Sequence, residues 1–97
     1  MAYDPGAIDA TLAAAVGDDP GLIADLRLAF MNSAARSLTA MERASDAEAW
    51  RTAAARLRGL AASFGAVRLM ALAVEAGAGS GPDIVLLNRI KRAIARL

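Results

Sequence analysis

The side chains that usually carry chemistry are few in this chain, and their types exclude most reactions. The 97 residues contain neither histidine nor cysteine. The usual ligands of zinc and copper are therefore missing, along with any thiolate nucleophile or disulfide framework. General acid or base work would need a carboxylate held near a partner, but Asp4, Asp19 and Asp83 stand where helices are expected to begin. Capping explains them better. Gly77, Gly79, Ser80 and Gly81 are irregularly spaced and lack the lysine of a phosphate-binding loop, so they read as a plain connection. No catalytic residue, metal site or cofactor site is expected, and the chain is not expected to be an enzyme. What remains is a set of cations, Arg51, Arg56, Arg58 and Arg68, in and just after one stretch from Trp50 to Ala66. They can meet an acidic partner surface, or form a solvated face balanced by Glu48 and Glu75.

A helix must position these cations. At about 100° per residue, Trp50, Ala53, Ala54, Leu57, Leu60, Ala61 and Phe64 gather on one side. Glu48, Arg51, Thr52, Ala55, Arg58, Gly59, Ala62 and Ala66 fall on the other. Glycine inside a helix costs roughly 1 kcal/mol relative to alanine. Gly59 therefore points to a backbone that something approaches closely, either a partner or a neighbouring helix of the same domain. Ser45 and Glu48 form a capping-box pattern at the amino end, and Gly65 can take the left-handed conformation that closes the carboxyl end.

The rest of the chain supplies the walls. Asp4-Pro5 opens a short helix with Ile8, Leu12, Ala15 and Val16 as its stripe, and Gly17 ends it. Asp18-Asp19-Pro20 repeats the start signal. From Pro20 to about Ala44, Leu22, Ile23, Leu26, Phe30, Ala34, Leu38 and Met41 recur at helical spacing, giving a helix of about 25 residues or roughly 37 Å. After Gly65, Leu69, Met70, Leu72, Ala73 and Ala76 face the core of a further helix, with Arg68 and Glu75 left for solvent. Pro82-Asp83 begins the last helix, carrying Leu87, Ile90, Ile94 and Leu97. The expectation is an all-α domain spanning residues 1–97. Four helices form an antiparallel up-down-up-down bundle, and the short N-terminal helix caps it.

The central stretch resembles the signature of histidine-containing phosphotransfer (HPt) domains, His-x-Leu-Lys-Gly-Ser followed by a hydrophobic residue, Gly and Ala. Leu57 stands at the leucine, Arg58 at the lysine, Gly59 at the glycine, and Phe64-Gly65-Ala66 at the closing triplet. Ala55 stands where the phosphorylated histidine would be, and Leu60 replaces the small polar residue. Asp18-Asp19-Pro20, Leu26, Phe30, Leu38 and Ala44 also look like the preceding helix of that family, and Leu69, Leu72 and Glu75 like the following one. The resemblance implies a pseudo-phosphotransfer protein of two-component signalling, which docks on a response-regulator receiver domain or a sensor kinase without relaying phosphate. Its partner-binding residues would be Arg51, Ala55, Arg58, Gly59 and Ala62. A second reading is a helical homodimer joined through the same alanine-rich edge. A third is an engineered inactive form of a true phosphotransfer protein, although a designed knockout would leave position 60 unchanged.

Composition sets the outer limits. Apolar residues make up 57% and aromatics 4%, which favours closely packed helices over sheets or disorder. Eleven basic and ten acidic side chains give a net charge of +1, without the basic excess of a nucleic-acid binder. No stretch approaches the roughly 20 apolar residues of a membrane span. Asp4, Asp9, Asp18 and Asp19 interrupt anything resembling a signal peptide, so a cytoplasmic location is expected. Ten of the basic residues are arginine, a bias common in proteins of GC-rich bacteria.

Overall fold

The computed structural model describes residues 5–17 and 19–97, with side chains from residue 10 onward. The expected cap Asp4 and Asp18 lie outside the described residues, as does the side chain of the stripe residue Ile8. The described residues form an all-helical fold of five helices: α1 (Pro5–Val16), α2 (Pro20–Arg43), α3 (Ala47–Ser63), α4 (Val67–Ala78) and α5 (Ile84–Ala95). The molecule is elongated, about 43 × 25 × 18 Å, as a 24-residue helix of some 36 Å requires.

Each start and stop has a local cause. Asp19 caps α2, its carboxylate accepting from the Leu22 amide at 3.1 Å, and Pro20 occupies the first turn, where its missing N–H costs nothing. Asp83 caps α5 in the same way through the Leu86 amide, also at 3.1 Å. Gly17 (φ 79°) and Gly65 (φ 71°) take the left-handed conformation after α1 and α3.

The cap of α3 is Asp46, not Ser45. Its carboxylate accepts from the Ala49 amide at 2.8 Å. The chain leaves α2 extended at Ala44 (ψ 124°), so helical geometry resumes only at Ala47 and the capping position moves one residue on. Glu48 then lies in the first turn, where its charge favours the helix dipole.

Three further expectations are corrected. Gly77 lies inside α4, and the connection to α5 starts only at Gly79. Leu22 is exposed, because it sits about 100° round α2 from the direction of Phe30, Ala34 and Met41. Ala15 is exposed, while Leu12 in the same helix is buried and Val16 half-buried.

One core joins the elements. α2 packs on α1, α3 and α5, while α4 packs on α3 and α5, so α2, α3, α4 and α5 form a closed ring of neighbours. Among the described residues α1 touches only α2, and its Leu12 joins the common core. Phe30 of α2 stacks on Phe64 at the end of α3, with ring centroids 4.7 Å apart. The Trp50 indole, fully buried, donates to the Ala76 carbonyl at 3.1 Å and ties α3 to α4 without leaving its N–H unpaired. Among the described residues no polar or charged side chain is buried, and no helix is long and apolar enough to cross a membrane.

Candidate functional site

The inner side of α3 anchors the helix. Trp50, Ala53, Ala54, Leu57 and Ala61 are buried, with Leu57, Ala54 and Ala61 entirely so. Alanine at 54 and 61 lets the neighbouring helices approach closely, as small residues at helix contacts do. Leu60 and Phe64 are half-buried against the same core. Leu60 therefore points away from the outer strip and leaves it unobstructed.

The outer side carries the expected partner-binding residues. Arg51, Ala55, Arg58, Gly59 and Ala62 are all exposed, at spacings of four, three, one and three that keep them on one stripe. Arg51 and Arg58 stand two turns apart, about 10.5 Å along the axis, with Ala55 between them. Neither has a hydrogen-bond or ion-pair partner among the described residues, and the same holds for Arg56 and Arg68. Ion pairs form elsewhere among the described residues, including Arg89 with Glu75 at 3.1 Å and Lys91 with Glu42 at 3.5 Å. Glu48 and Glu75 therefore do not neutralise the cations of α3.

Gly59 decides between two explanations of this strip. A β-carbon built at Gly59 would meet nothing within 4 Å. Packing of a neighbouring helix therefore does not account for the glycine. Its carbonyl accepts from Ser63 Oγ at 2.9 Å, an exposed contact within the helix itself.

Ala66 was expected on this outer stripe and is instead buried, at 6% exposure. The helix has ended by then. Gly65 turns the chain, the Ala66 amide bonds back to the Ala61 carbonyl at 2.9 Å, and the helical wheel no longer governs direction.

Other surface features carry no convergent chemistry. A groove between the end of α2 and the start of α3 is lined by Ala40, Asp46, Glu48, Thr52 and Arg56, an open, mixed-charge surface. The loop of residues 79–83 lies against α3. At Gly81 (φ 143°) a β-carbon would come within 3.3 Å of the Ala47 side chain, so this glycine serves close packing rather than phosphate binding. Among the described residues no three acidic, histidine or cysteine side chains are grouped to hold a metal ion.

Sequence reasoning missed the outer face of α4, where Val67 and Val74 are exposed at 67% and 44%. The signal was available, because both valines fall about 180° from Leu69, Leu72 and Ala76 on the helical wheel. No family model, curated protein or solved structure matches the chain.

Proposed function

We propose that this chain is a pseudo-phosphotransfer module of the HPt type, which docks on a receiver domain of a response regulator, or on a sensor kinase, without passing a phosphoryl group. In this proposal α2 to α5 are the antiparallel up-down-up-down bundle, with α1 as its capping helix. The closed ring of helix neighbours supports that arrangement. A cytoplasmic, bacterial setting follows from the same reading.

The observation that carries the proposal is the unfilled space over Gly59, on a strip in register with the HPt signature. A helix tolerates the cost of an interior glycine when something must come close to its backbone, and here nothing in the domain does. The flanking methyl groups of Ala55 and Ala62 keep the strip low, so a partner helix can lie along it. Arg51 and Arg58, without internal partners, offer charge to an acidic pocket rim and would steer its approach. Arginine at position 58 keeps the cation of the family's lysine while presenting a planar, forked donor.

Phosphoryl relay is absent from the proposal because Ala55 offers only a methyl group. Incubated with a phosphorylated receiver or an active kinase, the protein should acquire no acid-labile phosphate. The test of docking is a pull-down against the receiver domains of the source organism, repeated with Ala62→Glu. Wild type should retain one or a few receivers, and Ala62→Glu should retain none while melting unchanged. Retention of no receiver by the wild type, with no sensor kinase retained in the same assay, or retention that Ala62→Glu leaves intact, would overturn the proposal.

A further inference from the structure

Arg68 stands where its charge is least favourable. It is the second residue of α4, whose first turn contains no acidic side chain, and a cation there opposes the helix dipole. The neighbouring helix makes the position worse. A short connection, residues 79–83, joins α4 to α5, and Glu75 meets Arg89 across the seam at 3.1 Å, as in an antiparallel helix pair. Seven residues back along α4 and seven forward along α5 move about 10.5 Å in the same direction and return to nearly the same sides. The register that pairs Glu75 with Arg89 therefore sets Arg68 opposite Arg96. Arg92, one turn before Arg96, lies beside them.

Nothing within the domain offsets these charges. Both acids of residues 67–97 are already engaged, Glu75 with Arg89 and Asp83 as the cap of α5. Lys91 meets Glu42. Arg68, Arg92 and Arg96 are exposed and have no partner among the described residues. The dipole accounts for Arg92 and Arg96, which end a helix, but not for Arg68. Charge is also divided along the chain: residues 67–97 carry five basic and two acidic side chains, and residues 1–66 carry six and eight.

We propose that the seam between α4 and α5 docks an acidic helical segment of a partner protein, whose carboxylates pair with Arg68, Arg92 and Arg96. The ridge beside the seam favours a helix as the occupant. Val67, Ala71, Val74 and Ala78 are exposed at intervals of four, three and four, a row against which the side chains of another helix can pack. A lipid surface is a poorer match, since the ridge offers no aromatic or leucine anchor and three free arginines fall short of the roughly four to eight cations of a polybasic patch. Nucleic acid also fits less well, because acids outnumber bases in the rest of the chain. The surface is separate from the α3 strip, and the proposal stands whether or not a receiver docks there.

Fluorescence anisotropy of a labelled synthetic helix, titrated with the full chain, tests the proposal. The probe carries leucines at every third or fourth position and a parallel row of glutamates, and its analogue has glutamines in their place. At low salt the glutamate probe should bind with a dissociation constant of about 10–100 μM, and the glutamine probe about tenfold more weakly. Arg68→Glu should weaken the glutamate probe about tenfold while raising the melting temperature by a few degrees, since it reverses the charge at the start of α4. Arg51→Glu, on α3, should leave the affinity unchanged. No binding below about 1 mM, equal affinity for the two probes, full affinity in Arg68→Glu, or an equal loss in Arg51→Glu would overturn the proposal. So would a lowered melting temperature in Arg68→Glu, which would reveal a partner within the domain, or capture of the chain by phosphatidylglycerol vesicles with the glutamate probe left unbound.

Discussion

The two sides of α3 both carry alanines, and these serve opposite ends. Ala54 and Ala61 on the inner side are completely buried, while Ala55 and Ala62, each one residue further on, are exposed. Composition does not separate them; phase on the helix does. The inner alanines let Trp50 and Leu57 sit deep enough for the indole to reach the Ala76 carbonyl and for α4 to lie close. The outer alanines, with Gly59, leave a shallow strip along the line of Arg51 and Arg58 that nothing in the domain covers. A small residue therefore means close packing only where a neighbour is present. At Gly59 no neighbour within the domain comes close.

The largest effect that would sharpen this contrast lies on the inner side. Leu57→Ala should cost about 2–5 kcal/mol in chemical denaturation, because Leu57 has no exposed surface and its removal leaves a cavity between packed helices. A loss under about 1 kcal/mol would mean the inner face is far looser than its burial implies.

Gly59→Ala should move stability the other way, raising it by about 0.5–1 kcal/mol, since a methyl group there meets nothing and alanine is the better helix former. The same methyl should weaken receiver binding. A destabilised Gly59→Ala would break the comparison, because it would mean that some part of the domain occupies the space.

The smallest expected effect is that of Ala55→His, a few tenths of a kcal/mol from helix propensity alone. The new imidazole would stand one turn from Arg58 and Gly59. In that position it should take a phosphoryl group from the aspartyl phosphate of a receiver that already binds the wild type. Unfolding of this variant would make position 55 a packing residue and would end the family reading.

Much of this contrast was legible in the sequence, because a helix with one apolar side declares its phase. Trp50, Ala53, Ala54, Leu57 and Ala61 are buried as their spacing predicts. The ends of elements were harder. Ser45 and Asp46 are both good caps, and only the extended backbone at Ala44 decides between them. A wheel continued through Gly65 puts Ala66 on the outside, because it carries helical geometry past the residue that ends it. Glycine marks breaks and so predicts a loop at Gly77, whereas α4 continues through it for one more residue to Ala78. The outer ridge of α4 is hidden in the sequence for another reason. Valines on a mostly apolar helix look like core until the position of the neighbours is known.

The central claim is that the outer strip of α3 is where a receiver domain docks. It is tested most directly by titrating a retained, unlabelled receiver into the isotope-labelled protein and following the backbone amides by NMR. The account predicts that the largest shifts fall on Arg51, Ala55, Arg58, Gly59 and Ala62, while those of Val67, Ala71 and Val74 move little. Shifts concentrated on the α4 ridge or on α5, with the α3 strip unmoved, would contradict it.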